Sequence, residues 1–372
     1  MSTATYSPGL EGIIAGDTAI GCVDQGQLLY RGYPIQELAE KTLFGEVAHL
    51  LLYGELPRTA QLNQFRQTLF SFRELPPQVV QALRLIPTDT PMMDVLRTCV
   101  SMAGHFDPVK GSSPDDLRRR AVWLLATVAS IVATRYRFLQ HKEPVPPKEG
   151  LSHAAQLLYQ CHGVEPDAPS AKLIDLTLIL YAEHEFNAST FANRICASTL
   201  SDMVSCVVCG IGTLKGPLHG GANEEAMAML KQFKTADDAS KWIRNAFAKH
   251  EKVMGFGHRV YKHGDHRAHI LEAEMRKLAV QKGQQHWLEI YDAIKKPMVE
   301  EKKIFPNVDY PCGLVYYLLD LPIDIYTPLF VAARVTGWCA HYIEQVTNNR
   351  IYRPLSQYIG PPRRTVVPID QR

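Results

Sequence analysis

The sequence has almost no excess charge, no low-complexity tract and no hydrophobic run long enough to cross a bilayer. Among 372 residues, 40 Lys and Arg face 38 Asp and Glu, which leaves a net charge of +2. Basic residues form no long run, so the electrostatic surface expected of a protein that binds nucleic acid or anionic lipid is missing. The longest charge-free helical stretch, 121–134, falls short of the roughly 20 residues that a membrane helix needs. We therefore expect a buried core helix there, no nucleic-acid partner and no membrane association.

Targeting signals and a disulfide framework are also missing. The N-terminus has no basic segment followed by an apolar run, so no secretory signal is visible and we expect a cytoplasmic protein. Eight cysteines are scattered without regular spacing, which is typical of reduced cytosolic thiols. Cys206 and Cys209 form one C-x-x-C pair, but no second metal-ligating pair follows it. We therefore expect no metal site.

Helical periodicity extends over most of the chain. Apolar residues recur at i, i+3, i+4 and i+7 after an opening segment, which predicts a mostly α-helical protein. The opening segment, 10–33, alternates short apolar runs with glycine and aspartate and predicts a small β or irregular element. Stretches rich in proline and glycine at 87–91, 143–150, 215–217 and 305–313 predict breaks between helices. The length suggests two or three domains.

His219 lies between a proline turn and a glycine pair, just before a predicted helix. Residues 226–233 have the apolar spacing of an amphipathic helix, and Asn223 is a candidate N-cap. The positive end of a helix dipole disfavours imidazolium, so a neutral His219 could donate a hydrogen bond to a carbonyl that is becoming an enolate. Taken alone, a histidine in a tight turn is the simpler interpretation.

Several other polar residues stand in unusual positions. His258 follows Gly255 and Gly257, which allow a ligand to approach the backbone. Val260 occupies the third glycine position of the dinucleotide fingerprint, so that motif is excluded, and a basic surface turn is the simpler interpretation. Arg334 interrupts an apolar helix and needs a partner if it is buried. Three further candidates, each with an ordinary structural interpretation of its own, are His184, Asp309 and Arg353.

Taken together and in order, these segments resemble the citrate synthase family. The resemblance spans essentially the whole chain and is specific in its combination of two histidine motifs with an aspartate motif. It implies an all-α, two-domain fold in which a large helical domain, 1–219 and 315–372, is interrupted by a small helical domain, 220–314. It also implies a homodimer. The segments that carry it are GLEGIIAGDTAI, LLYRGYPIQELAE, HEFNASTFANR, GPLHGGANEEAM, VMGFGHRVYK, NVDYPCG, and FVAARVTGWCAH through NRIYRPLSQYIGP.

The resemblance also implies a role for each matching residue. The family's general base corresponds to Asp309, its acetyl-enolising histidine to His219 and its oxaloacetate-carbonyl histidine to His258. The family's oxaloacetate-binding residues correspond to His184, Arg267, Arg334 and Arg353. In the family, the residue that corresponds to Arg353 reaches in from the neighbouring subunit. The family's coenzyme A contacts fall on Met254, Gly255, Phe256, Gly257 and Lys262. The implied substrates are oxaloacetate and acetyl-CoA, with the coenzyme A thioester as co-substrate and no tightly bound cofactor or metal.

The implied reaction is the condensation of acetyl-CoA with oxaloacetate, followed by hydrolysis of citryl-CoA to citrate and CoA. Removing a weakly acidic α-proton requires a positioned carboxylate and stabilisation of the enolate oxygen, and arginines suit a dicarboxylate acceptor. Two features depart from the family: Tyr310 to Cys312 replace an aromatic-tyrosine-serine run, and His266 stands where proline is common.

Two alternatives remain open. A 2-methylcitrate synthase would use the same residues on propionyl-CoA, since one methylene is worth only about 1–3 kcal/mol of discrimination. An alternative of a different class is a catalytically silent regulator that binds acyl-CoA or citrate. The presence of Asp309, His219 and His258 argues against that regulator.

Overall fold

A computed structural model describes residues 6–258, 260, 261 and 264–372. These residues contain sixteen α-helices and one three-stranded antiparallel sheet, which confirms the expected all-α class. The sheet lies in the opening segment, as predicted, and its first turn has positive φ at both Gln25 and Gly26, the geometry that a two-residue hairpin turn requires. Its strands are β1 (Gly21–Asp24), β2 (Gln27–Tyr30) and β3 (Tyr33–Pro34).

The first eight helices follow the predicted breaks. The proline-rich stretch 87–91 separates α4 from α5, and 143–150 separates α6 from α7, because proline has no N–H to donate and restricts the residue before it. These helices are α1 (Ile35–Lys41), α2 (Phe44–Tyr53), α3 (Thr59–Ser71), α4 (Pro77–Leu85), α5 (Met92–Ala103), α6 (Pro114–Leu139), α7 (His153–His162) and α8 (Ala168–Tyr181).

The apolar helix α6 is a core helix, as the sequence predicts. It begins at a Ser113 cap with Pro114 in its first turn, a position where the missing N–H costs nothing. Residues 121–136 are buried without interruption. Among the described residues it is the one helix long and apolar enough to span a membrane, yet 83% of its most apolar window is buried inside the protein.

The second half of the chain contains the remaining eight helices. The break at 215–217 separates α10 from α11, as predicted. The N-cap of α11 is Gly221, which offers no side-chain hydrogen bond, so the expected Asn223 cap is wrong. These helices are α9 (Ala188–Ser198), α10 (Met203–Leu214), α11 (Ala222–Leu230), α12 (Ala236–Lys249), α13 (His266–Gln281), α14 (His286–Glu300), α15 (Asp309–Leu318) and α16 (Tyr326–Thr347).

The fourth predicted break is only partly correct, because Asp309 is the first residue of α15 and not part of a turn. The irregular segment ends at Val308, and Pro311 lies inside the first helical turn. A proline is tolerated there because the first N–H groups of a helix have no intrahelical partner. The general-base candidate therefore stands at a helix start.

Helix α16 is the centre of the packing around the site. Its residues 326–342 are buried, and it packs against α2, α5, α6, α8, α9, α10 and α11. Arg334 lies in the middle of this buried run with 2% of its surface exposed. The chain after α16 is irregular and exposed from residue 353 to the C-terminus, apart from a short 3₁₀ turn.

Candidate active site

His219 lies in the turn between α10 and α11, three residues before α11 begins. Its Nε2 atom lies 3.2 Å from the backbone N–H and 2.9 Å from the hydroxyl of Ser189, in the first turn of α9. Both groups can donate to Nε2, so the neutral ring carries its proton on Nδ1. Burial, with a smaller contribution from Arg334, lowers the pKa of His219 to about 4. A neutral His219 therefore has its Nδ1 proton free for a ligand, and the helix start that contacts its ring belongs to α9 and not to α11.

His184 and His258 face each other across a short gap. Their ring centroids are 5.2 Å apart, and His184 Nε2 lies 2.9 Å from the Tyr261 hydroxyl. His258 Nδ1 accepts from the backbone N–H groups of Val260 at 3.1 Å and Tyr261 at 3.4 Å, so its proton is on Nε2. Burial, then Arg267, lowers the pKa of His258 to about 4 and that of His184 well below its usual range. Both imidazoles are neutral near pH 7.

Two buried arginines lie beside these histidines. Arg267, in the first turn of α13, forms a bidentate pair with Asp265, with N–O distances of 3.0 and 2.9 Å. Arg334 donates from Nε to the carbonyl of Tyr181 at 2.7 Å, and its guanidinium stacks on Phe330. Arg334 thus has the partner that a buried guanidinium requires. These cations favour an anionic ligand next to the histidines.

Asp309 joins the same group of side chains. Its Oδ1 accepts a hydrogen bond from the Tyr181 hydroxyl at 2.5 Å, and its backbone N–H donates to Asn307 at 3.1 Å. Burial raises the pKa of Asp309 to about 6, while the Tyr181 hydrogen bond, Arg267 and Arg334 oppose that rise. A carboxylate with a pKa just below neutrality is suited to act as a general base.

The glycine-rich segment 254–257 is attached to the turn that leads into Asp309. Gly257 N–H donates to Phe305 at 2.8 Å, Asn307 N–H donates to the Gly255 carbonyl at 2.9 Å, and the Asn307 amide donates to the Gly257 carbonyl at 3.0 Å. Phe256 forms an isolated bridge with Pro306. The candidate coenzyme A contacts Met254, Gly255, Phe256 and Gly257 thus lie beside the candidate base.

Two predicted site residues are not placed with the others. Lys262 lies outside the described residues. Arg353 is exposed, and its one described hydrogen bond runs to the carbonyl of Pro354 at 3.3 Å. The C-x-x-C cysteines lie on α10, and the described part of the chain contains no group of three or more His, Cys, Asp or Glu side chains that could hold a metal ion.

The sequence analysis missed four residues that hold the site together. Ser189, which lies in the segment HEFNASTFANR, contacts His219, and Asp265 pairs with Arg267 two residues later. Tyr261 lies only three residues after His258, and this short distance along the chain could have marked it as a neighbour of the site. Tyr181 ends an apolar run at 173–181 and carries no sequence signal of its own.

Comparison with known proteins identifies the family. Residues 9–355 match the family model described as citrate synthase, C-terminal domain. The chain belongs to the citrate synthase family. It is 41% identical to the citrate synthase of Mycolicibacterium smegmatis, over 99% of this chain and 100% of that one. It is 43% identical to the 2-methylcitrate synthase of Shewanella oneidensis, over 98% and 97% of the two chains.

A solved citrate synthase has the same architecture. The structure of the Thermoplasma acidophilum citrate synthase, in a ternary complex with carboxymethyl coenzyme A and oxaloacetate, superposes with a TM-score of 0.93 and 34% identity over 100% of both chains. The all-α citrate synthase fold expected from the resemblance is therefore confirmed for this family member.

Proposed function

We propose that this protein is a citrate synthase that condenses acetyl-CoA with oxaloacetate and then hydrolyses citryl-CoA to citrate and CoA. The observation that carries the proposal is the grouping of Asp309, a carboxylate with a pKa of about 6, with neutral histidines and two buried arginines. The bound ligands of the Thermoplasma acidophilum enzyme belong to the same substrate classes.

The first step in this proposal is enolisation of the acetyl group. Asp309 removes the α-proton, and His219 donates from Nδ1 to the developing enolate oxygen. A neutral His219 suits this role, because the donor's own acidity then lies closer to that of the enol that it stabilises. The contact from Ser189 keeps Nε2 occupied, so the Nδ1 proton is available to the substrate.

The second step is attack on the ketone of oxaloacetate. Arg267 and Arg334 bind its carboxylates, and His184 and His258 lie beside the carbonyl. His258 holds its proton on Nε2, since Nδ1 accepts from two backbone N–H groups. Binding of a dianion next to His258 favours its protonated form, so the ring becomes a better proton donor when the substrate is present.

The third step requires that water enter only after the carbon–carbon bond has formed. We propose that residues 220–314 form a small domain that closes over the substrates, between large-domain segments 1–219 and 315–372. Packing of α11 against α15, α12 against α14 and α13 against α15 supports such a unit. Within it, the segment Met254 to Gly257 and Lys262 contact coenzyme A. No tightly bound cofactor takes part in this scheme.

The proposal includes a cytoplasmic homodimer in which Arg353 completes the neighbouring active site. Arg353 is exposed on an irregular C-terminal segment whose apolar side chains are also exposed, including Leu355 at 80% and Ile359 at 90%. Apolar side chains at this exposure are typical of a surface that a second chain covers.

Mixed dimers test the contribution of Arg353. Asp309→Asn and Arg353→Gln are each expected to inactivate the homodimer, and co-refolding them in equal amounts is expected to restore about a quarter of wild-type activity. Half of the dimers are then mixed, and each mixed dimer has one intact site if Arg353 acts across the interface. Recovery no greater than the sum of the separate variants would mean that Arg353 serves its own chain.

A 2-methylcitrate synthase is the second candidate, because a relative with that activity is 43% identical over nearly the full chain. The deciding experiment measures thiol release from acetyl-CoA and from propionyl-CoA, with and without oxaloacetate. We expect a higher kcat/KM for acetyl-CoA. A preference for propionyl-CoA would assign the second candidate, and no oxaloacetate-dependent release from either thioester would contradict both.

A further inference from the structure

Tyr181, the last residue of α8, is fixed in position next to the candidate active site. Its side chain is 1% exposed, and its ring packs on Phe330 with 4.3 Å between centroids. Its backbone carbonyl accepts from Arg334 Nε at 2.7 Å. The steps proposed above assign no role to this side chain.

The hydroxyl of Tyr181 occupies one oxygen of the candidate base. It lies 2.5 Å from Asp309 Oδ1, and burial holds the pKa of Tyr181 well above its usual range, so the hydroxyl is the donor. The second oxygen, Oδ2, makes no hydrogen bond to any described residue. A carboxylate tethered through one oxygen holds the other in a defined direction, which a base needs in order to meet a C–H bond.

We propose that Tyr181 is a positioning residue: its hydroxyl holds the Asp309 carboxylate so that Oδ2 faces the α-proton. This inference rests on the proposed function, because it assigns Asp309 as the base. Through its carbonyl, Tyr181 also holds Arg334, a candidate oxaloacetate ligand. One residue therefore aligns the group that removes the proton with a group that binds the acceptor.

The charges around Asp309 determine how its titration responds. Burial raises the pKa of Asp309, and the Tyr181 hydrogen bond is the largest of the contributions that lower it. Loss of the hydroxyl removes a donor to the charged form, so the pKa of Asp309 rises further. The titratable and charged groups that face Asp309 are Tyr181 from α8, Arg267 and Asp265 from the α13 end, Arg334 from α16, and Cys312 and Tyr316 from α15.

The sign of the expected pH effect follows from the role of a base. Only ionised Asp309 accepts a proton, so kcat falls as the pH drops through its pKa in the substrate complex. In Tyr181→Phe the acid limb of the kcat profile is expected to move upward by about one pH unit. The kcat on the pH-independent plateau is expected to fall about tenfold, because the carboxylate is no longer held in one orientation.

A second variant reverses the sign. Replacing Tyr181 with 3-fluorotyrosine, by site-specific incorporation, makes the hydroxyl a stronger donor and is expected to move the acid limb downward. If Tyr181 only filled space, the acid limb of the kcat profile would lie at the same pH in both variants. Tyr326→Phe is the matched control, since it removes an equally buried hydroxyl, 3.3 Å from the Leu321 carbonyl, and is expected to leave the profile unchanged.

Infrared difference spectroscopy provides a readout that needs no turnover. The protonated-carboxyl band that disappears in Asp309→Asn reports the titration of Asp309 directly. An unchanged Asp309 titration in both Tyr181 variants would overturn the inference, whatever the enzyme's substrate. Failure of the proposed function would instead appear as a wild-type protein without oxaloacetate-dependent thiol release, with the infrared shift still present.

Discussion

The two sides of the candidate site are built in different ways. The helical wall consists of His184, His219 and Arg334, which lie at or against helices α8, α9 and α16. The loop cover consists of His258, Arg267 and Asp309, which lie in the segments 254–267 and 305–309. Each side contributes histidine and arginine, but the wall is anchored on the buried helix α16, whereas the two segments of the cover are joined to each other by hydrogen bonds.

The contacts behind each side explain this difference. Behind the wall, Glu183 pairs with His341 of α16 at 2.9 Å, and both side chains are fully buried. In the cover, Asp265 caps α13, pairs with Arg267 and accepts from Val308 N–H at 3.1 Å. Asp265 therefore joins the two segments of the cover to each other.

Between the described residues of the two sides, two hydrogen bonds cross from the wall to the cover. The Tyr181 hydroxyl contacts Asp309, and His184 Nε2 contacts the Tyr261 hydroxyl. Few direct links suit the proposed closure, because each link would break or stretch if the cover moved. The comparison teaches that the wall is built on the buried helix α16, while the cover carries Asp309, the proposed general base.

The largest expected effect comes from the cover. In Asp309→Asn, kcat is expected to fall about 10²- to 10⁴-fold, which is the range that positioned general bases contribute. The KM for oxaloacetate is expected to change little, since Arg334 and His184 of the wall remain. Steady-state kinetics at saturating thioester measure both values.

The control for that variant is Asp320→Asn, which makes the same chemical change on an exposed side chain that pairs with Lys282. It is expected to retain wild-type kcat. If Asp309→Asn kept more than about a tenth of wild-type kcat, Asp309 would not be the proton-abstracting base and the cover would serve binding alone.

Sequence reasoning reached the fold class because the helical period is a short-range pattern, and it reached the candidate site through the resemblance to a known family. The helical period, the proline breaks and the buried helix α6 follow from local spacing. The resemblance to the citrate synthase family singled out His184, His219, His258, Arg267, Arg334 and Asp309, and the structure places these side chains near one another.

Two of the four misses, Ser189 and Tyr181, share a cause, because each depends on a contact between segments that are distant in sequence. The N–H that contacts His219 comes from Ser189, 30 residues earlier, and not from the helix that follows the histidine. Tyr181 contacts Asp309, which lies 128 residues later in the chain. A tyrosine at the end of an apolar run gives no sign in the sequence that its hydroxyl makes such a contact. The proposed role of Arg353 involves a second chain, which local patterns do not describe.

A smaller effect tests how the cover is held together. Gly255 and Gly257 both have positive φ, +81° and +78°. An added Cβ at Gly255 would lie 2.8 Å from Tyr310 Cβ, while one at Gly257 would meet nothing closer than Ile304 Cγ2 at 3.6 Å. The two glycines thus form a matched pair in which the backbone strain is similar and only the steric contact differs.

We expect Gly257→Ala to lower the free energy of unfolding by about 1–2 kcal/mol, which is the cost of a left-handed L-residue. Gly255→Ala should lose about 1–3 kcal/mol more, because its methyl group presses on the residue after Asp309 in an already packed region. Urea unfolding at one fixed protein concentration measures the difference. If both variants lost the same free energy of unfolding, the backbone near Tyr310 would have shifted to make room for the added methyl group. The segment 254–257 and the start of α15 would then not be one rigid piece.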